Sequence, residues 1–155
     1  MTHAVTLSRA IPQEETCSVR ASPADVASLD DWIASIARKW GESERTMFAV
    51  RLCVAELAAN VVEHGLAGAD GRITVTLSRD GADIAIAFTD TGSPFDPTGA
   101  TSVSPEASST SSMAPETAVS GRGLGIVRAY AKNLTYCRDD HTNRVMLKIS
   151  GRPQP

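Results

Sequence analysis

Glu56, Asn60 and His64 stand four residues apart in the run Glu56-Leu57-Ala58-Ala59-Asn60-Val61-Val62-Glu63-His64-Gly65. An α-helix turns ~100° per residue, so this spacing lines an acid, an amide and an imidazole up one side of a helix. Asparagine is a poor interior helix residue because its side chain competes for the backbone, and its place here points to a task. A solvated polar face accounts for the same file, and this helix alone leaves both readings open.

Two further stretches carry residue types suited to a ligand. Gly121-Arg122-Gly123-Leu124-Gly125 precedes a helical pattern, where glycines let backbone N–H groups approach an anion and a helix N-terminus adds positive charge. Arg122 within it could reach a terminal phosphate. A structural glycine turn is the other reading, and neither the dinucleotide fingerprint nor a P-loop occurs in the chain. Asp90-Thr91-Gly92 closes a strand pattern. Its carboxylate could accept a hydrogen bond from an exocyclic amine while the glycine leaves room for a flat ring, and a plain turn is the alternative.

The elements that must position these residues are legible in outline. Residues 4 to 11 and 17 to 21 read as short edge strands with a turn at Pro12-Gln13-Glu14-Glu15. Ser22, Pro23 and Asp25 start a helix that Val26, Leu29, Ile33, Ile36, Ala37 and Trp40 continue and Gly41 ends. Ser43 can cap the next helix, which runs to Gly65 with Phe48, Leu52, Ala55, Ala59 and Val62 as its core-facing stripe.

Residues 72 to 89 alternate as a β-hairpin turned at Asp80-Gly81, with Ile73, Val75, Leu77, Ile84, Ile86 and Phe88 on one face. Residues 97 to 120 are mostly Ser, Thr, Ala and Pro without apolar periodicity, and read as a mobile loop. Ile126, Val127, Tyr130, Ala131 and Leu134 then recur at helical spacing, Leu134 to Cys137 lead into a strand, Asp139 to Asn143 read as a turn, and Val145, Leu147 and Ile149 alternate as a last strand. Gly151 to Pro155 form a polar tail.

A chain of 155 residues with 42% hydrophobic content supplies one sizeable core, and the whole of 1–155 reads as one domain. A net charge of −3 gives no general pull toward nucleic acid or anionic lipid, so neither a direct nucleic-acid contact nor a membrane is expected. The cysteines, Cys17, Cys53 and Cys137, show no metal-ligand or C-x-x-C spacing and read as reduced thiols of a cytoplasmic protein. The first residues show no basic lead followed by an apolar run and no run approaches a membrane span, so neither export nor membrane insertion is expected.

Taken in order, E-x-x-x-N-x-x-x-H-G on a helix, D-x-G-x-P-F after a hairpin, a Ser/Thr-rich loop and G-x-G-x-G before a helix resemble the N, G1 and G2 boxes of the GHKL ATPases. Within that superfamily the chain is most similar to anti-sigma factors that are serine-protein kinases, the RsbW/SpoIIAB type. The matching residues are Glu56, Asn60, His64 and Gly65, then Asp90, Gly92, Pro94 and Phe95, then Gly121 through Ile126. The resemblance spans roughly residues 5 to 150.

The resemblance implies a Bergerat-type α/β two-layer sandwich, a mixed, mostly antiparallel sheet with helices on one face. It implies ATP and Mg²⁺ as ligands, with Asn60 binding the metal and Glu56 acting as general base toward an attacking hydroxyl. Asp90 matches the residue reading the adenine amino group, Gly92 lies beneath the ring with Pro94 following, and Gly121, Arg122, Gly123, Leu124 and Gly125 form the phosphate-binding turn. About 96 to 120 match the ATP lid. His64 holds a position often histidine in this group, although beside Gly65 it also suits a cap on helix carbonyls. One departure stands before the last strand, where relatives carry Gly-Thr near the adenine and this chain has Thr142-Asn143-Arg144.

The partners implied are an RNA polymerase sigma factor, held from the polymerase, and a STAS-domain antagonist phosphorylated on serine or threonine, with the chain acting as a homodimer. Alternatives are a switch kinase of the RsbT kind that does not hold sigma, and a non-catalytic binding module gated by ATP. A sensor histidine kinase or a strand-passing enzyme would need segments for which this length leaves no room.

Overall fold

A computed structural model describes residues 13–64, 70–99 and 116–151, with the side chains of 116–122 excepted. The elements are β1 (Glu14–Arg20), α1 (Pro23–Trp40), α2 (Glu44–His64), β2 (Arg72–Asp80), β3 (Asp83–Asp90), α3 (Glu116–Tyr130), β4 (Ala131–Asp139) and β5 (Thr142–Ile149). The strands form one five-stranded sheet in the order β1-β2-β3-β5-β4. All four pairings are antiparallel, so no parallel pair of a mixed sheet is seen among the described residues.

Local chemistry sets the helix ends. The Ser22 hydroxyl accepts the Asp25 N–H at 3.2 Å, Pro23 opens α1, and Gly41 closes it with φ 64°, a left-handed conformation that costs a residue without Cβ little. Ser43 caps α2 in the same way, accepting the Thr46 N–H at 3.1 Å. Arg51 of α2 forks onto both oxygens of Asp30 in α1, which holds that carboxyl below its ordinary range. Both side chains are exposed, so the clasp orients the helices more than it stabilises them.

Helices cover one face of the sheet. Leu29, Ile33 and Ile36 of α1 and Val50, Val54 and Leu57 of α2 close over Ile73, Val75, Ile86, Phe88 and Leu147, all essentially buried. Burying each such side chain contributes about 1.5–3 kcal/mol, and this layer is the main source of stability. The opposite face is wet and polar, with Thr16 against Thr76 at 2.9 Å and Ser18 against Thr74 at 2.7 Å.

Several boundaries differ from the sequence expectations. The strand expected at 4 to 11 lies outside the described residues, and the turn placed at 12 to 15 is already strand from Glu14, paired with Ser78. An edge strand keeps one side in water, which lets glutamates sit in it. The core face of α2 is Met47, Val50, Cys53, Val54, Leu57, Ala58 and Val61, whereas Phe48 is 57% exposed and Ala55 is also exposed. This helix carries an apolar stripe on either side of its polar file, so two helical stripes compete and periodicity alone selects the wrong one.

The second half of the chain shows two more shifts. α3 ends at Tyr130, and Ala131 and Leu134 belong to β4. A bulge between Lys132 and Thr135, with Asn133 at φ 53°, returns both to the core side, so a spacing of three imitates a helix. The turn expected over 139 to 143 shrinks to Asp140 and His141, both at positive φ, and Asn143 lies inside β5. Residues 100–115 of the loop and lid expected over 96 to 120 lie outside the described residues, while 116 to 120 are helical.

Candidate functional site

The central strands build the site by ending their core files on polar residues. In β3 the inward positions run Ile84, Ile86, Phe88, Asp90, and opposite them in β5 run Ile149, Leu147, Val145, Asn143. Three apolar cross-strand pairs are thus followed by an aspartate facing an asparagine, exposed to only 6% and 2%. Across β5, Asn143 is also level with Arg138 of β4.

A cleft opens where these files meet α2. Its apolar walls are Leu57, Val61, Phe88 and Val145, its mouth carries Pro94 and Phe95, and Asn60, His64, Asp90 and Asn143 supply its polar groups. An apolar slot with few convergent polar groups is the usual form of a small-molecule site.

Asp90 sits at the inner end. Its Oδ1 accepts the Gly92 N–H at 2.9 Å and the Asn143 Nδ2–H at 2.9 Å. No hydrogen bond from the described residues reaches Oδ2. Gly92 is buried, and it holds the aspartate through its amide while its carbonyl accepts from Arg138 at 3.0 Å. Pro94 lines the mouth beside Phe95, which is 41% exposed.

The helix file of Glu56, Asn60 and His64 is intact in α2, but it flanks the core instead of standing opposite it. Asn60 is 8% exposed, and its Nδ2 is buried without a hydrogen-bond partner. A half-turn of the amide exchanges that nitrogen for an oxygen, the end that a hard cation takes. Among the described residues no group of three or more His, Cys, Asp or Glu could cage a metal. A cation beside Asn60 would therefore draw most of its ligands from phosphate and water, as Mg²⁺ commonly does. His64 lines the cleft, half-exposed, with Nε2 3.6 Å from Glu63 Oε2.

Glu56, one turn before Asn60, is half-buried and lies against α3. A Cβ built on Gly123 would collide with its Oε2. Burial and the nearby Glu56 charge push the Cys53 thiol up to about 11. The glycine-rich stretch is placed differently from the expectation, because α3 begins at Glu116 and encloses Gly121, Gly123 and Gly125 instead of starting after them. Each interior glycine weakens a helix by about 1 kcal/mol relative to alanine, so this part of α3 is intrinsically weak. Leu124 is buried, Gly125 faces open space, and the Arg122 side chain lies outside the described residues.

The residue missed in sequence is Asn143, taken there as part of a turn. Its signal was present: it continues the inward phase of Val145, Leu147 and Ile149 by one step, and a polar residue in a buried phase needs partners.

An antiparallel sheet covered on one face by helices, with a cleft where its central strands meet the helix bearing Glu56 and Asn60, defines a two-layer α/β sandwich. The family described as histidine kinase-like ATPase domain matches residues 19–149, and the chain belongs to that family. No curated protein matches. Among solved structures, the crystal structure of the RsbU and RsbW domains of Rv1364c from Mycobacterium tuberculosis is similar, with a TM-score of 0.62 over 89% of this chain at 13% identity. The chain spans 32% of the length of that one, and the likeness is one of fold. Among the described residues, no helix is long and apolar enough to cross a membrane.

Proposed function

We propose that this protein is an ATP-dependent protein serine/threonine kinase that also binds an RNA polymerase sigma factor, and that its substrate is a small STAS-domain antagonist of that inhibition. Membership of the ATPase family supports the nucleotide, and the RsbW domain in the similar structure agrees with the partner-switching part of the reading. The observation that carries it is the placement of Glu56 and Asn60 one turn apart on α2, with Asp90 in the same cleft as Asn60.

In this reading the adenine ring enters the apolar slot and its amino group donates to Asp90 Oδ2. The triphosphate then extends along α2 toward Asn60, whose buried, unpartnered amide fits a Mg²⁺ ligand. When bound, Mg²⁺ neutralises phosphate charge and holds the terminal phosphoryl group in line. Glu56 accepts the proton of the attacking serine or threonine hydroxyl, a general-base role that needs a carboxylate free of other partners. Gly121, Gly123 and Gly125 form the part of α3 that most readily becomes a phosphate-binding turn. Adding a phosphate to the antagonist gives it nearly two negative charges and weakens its docking, which leaves this protein free to hold sigma.

The test is to incubate the purified chain with Mg·ATP and a STAS partner from the same genome, and to map phosphate by mass spectrometry. Phosphate on a partner serine or threonine is expected. Tight, ATP-dependent partner binding without transfer would replace the kinase reading with a nucleotide-gated binding module.

A further inference from the structure

Asn143 is a buried amide with every hydrogen-bonding capacity used. Its Nδ2 donates to Asp90 Oδ1 at 2.9 Å and to the Ser93 carbonyl at 2.8 Å, with the Gly92 carbonyl a longer contact at 3.5 Å. Its Oδ1 accepts from the Tyr136 hydroxyl at 2.8 Å and from Arg138 Nη1 at 2.8 Å. The orientation is fixed by chemistry: arginine only donates, and a backbone carbonyl only accepts, so the reversed amide would put like against like at both ends. With two donors on its oxygen and two acceptors on its nitrogen, Asn143 keeps nothing for a ligand.

We infer that Asn143 is the positioning residue that sets base specificity, clamping Asp90 so that only Oδ2 faces the cleft. The inference rests on the nucleotide-binding reading given above. Arg138, Asn143 and Asp90 sit level on three adjacent strands, so the clamp is built into the register of the sheet. Gly92 N–H and Asn143 occupy Oδ1, and the carboxylate cannot rotate without breaking both bonds. Arg138 also holds the Gly92 carbonyl, which ties the turn after β3 to the same network.

The consequence is discrimination at the six-position of a purine. An ionised carboxylate only accepts, so a fixed Oδ2 rewards an exocyclic amine and opposes a carbonyl oxygen. ATP presents the amine and GTP the oxygen. Released from its clamp, Asp90 would turn aside from the base, so affinity for ATP falls more than affinity for GTP.

The test is direct binding of ATP and GTP, each with Mg²⁺, to the wild-type chain and to Asn143→Leu. Wild-type protein should prefer ATP, and the variant should narrow that preference by about tenfold, the worth of an aimed hydrogen bond to a charged group. An unchanged preference in a folded variant overturns the clamp and leaves nucleotide binding standing. Should Asn143→Leu fail to fold, Arg138→Met decides, since it strips the charged donor from Asn143 Oδ1 and from the Gly92 carbonyl and keeps an unbranched stem. A narrowed preference then supports the clamp, and an unaltered one overturns it. Wild-type protein that binds neither nucleotide overturns the functional reading and the inference with it, and wild-type binding without an ATP preference overturns the inference alone.

Discussion

The carboxylate of Glu56 on α2 lies against the backbone of Gly123 on α3, so closely that a Cβ on that glycine would overlap Oε2. The obstacle is the end of a flexible side chain, which can swing away, so Gly123→Ala should fold. Replacing an interior helix glycine with alanine favours the helix by roughly 0.5–1 kcal/mol, and the variant is expected to unfold at equal or higher denaturant. Phosphoryl transfer should nevertheless drop about 10²-fold, the scale of a 1 Å misplacement of a reacting group. Single-turnover transfer alongside a urea titration checks this, and wild-type rates would show that Gly123 does not hold Glu56 in place.

Glu56 itself separates binding from chemistry. It does not line the cleft, and the slot for the base is built from other residues. Glu56→Gln keeps the shape and removes the base, so affinity for Mg·ATP should stay within about threefold while transfer falls 10²–10⁴-fold, roughly the range for a lost general base. Calorimetric titration with Mg·ATP and the transfer assay measure the two quantities independently. Comparable losses in both would assign Glu56 to nucleotide binding instead.

Asn60 should show opposite effects on stability and function. A buried Nδ2 without a partner costs about 1–3 kcal/mol, and leucine keeps the same branched skeleton without that penalty. Asn60→Leu is therefore expected to stabilise the ligand-free protein by about 1 kcal/mol, the low end of that penalty, and to abolish the Mg²⁺-dependent part of ATP affinity. Urea midpoints of the free protein and ATP titrations with and without chelator test both halves. A destabilised variant would mean that Asn60 serves the fold.

What could be read in the sequence followed the strength of local signals. α1 was legible from Ser22 to Gly41 because cap, proline and αL glycine each leave a chemical mark, and the β2–β3 hairpin was legible because alternation and Asp80-Gly81 agree. The core face of α2 was not, since that helix carries two apolar stripes and only tertiary contact chooses between them. Ala131 and Leu134 imitated a helix because a bulge resets strand phase, something no period count detects. In the cleft, Asn60 and Asp90 stood out as polar residues inside apolar patterns. Asn143 obeyed the same rule, but turn-like residues around it concealed that it belongs to a buried file.

Cys53 makes an alkaline prediction. Its thiol is raised to about 11 by burial first and by the Glu56 charge second, against an ordinary value of 9.0. Below that ordinary value both folded and unfolded chains hold the proton, and the group's contribution is fully present. As pH rises from 9.0 toward about 11, the unfolded chain releases the proton and the folded protein keeps it, so stability is lost through that window. The slope is about 1.4 kcal/mol per pH unit from this group alone. Other groups titrate in the same range, so the informative quantity is the difference from Cys53→Ala, which cannot ionise there. Wild-type protein should be the more stable at pH ~8, because alanine leaves a small cavity, and its advantage should shrink or reverse by pH ~10.5. Urea unfolding of both proteins under reducing conditions measures this, and a stability gap that stays constant across the window would show that Cys53 ionises alike in both states.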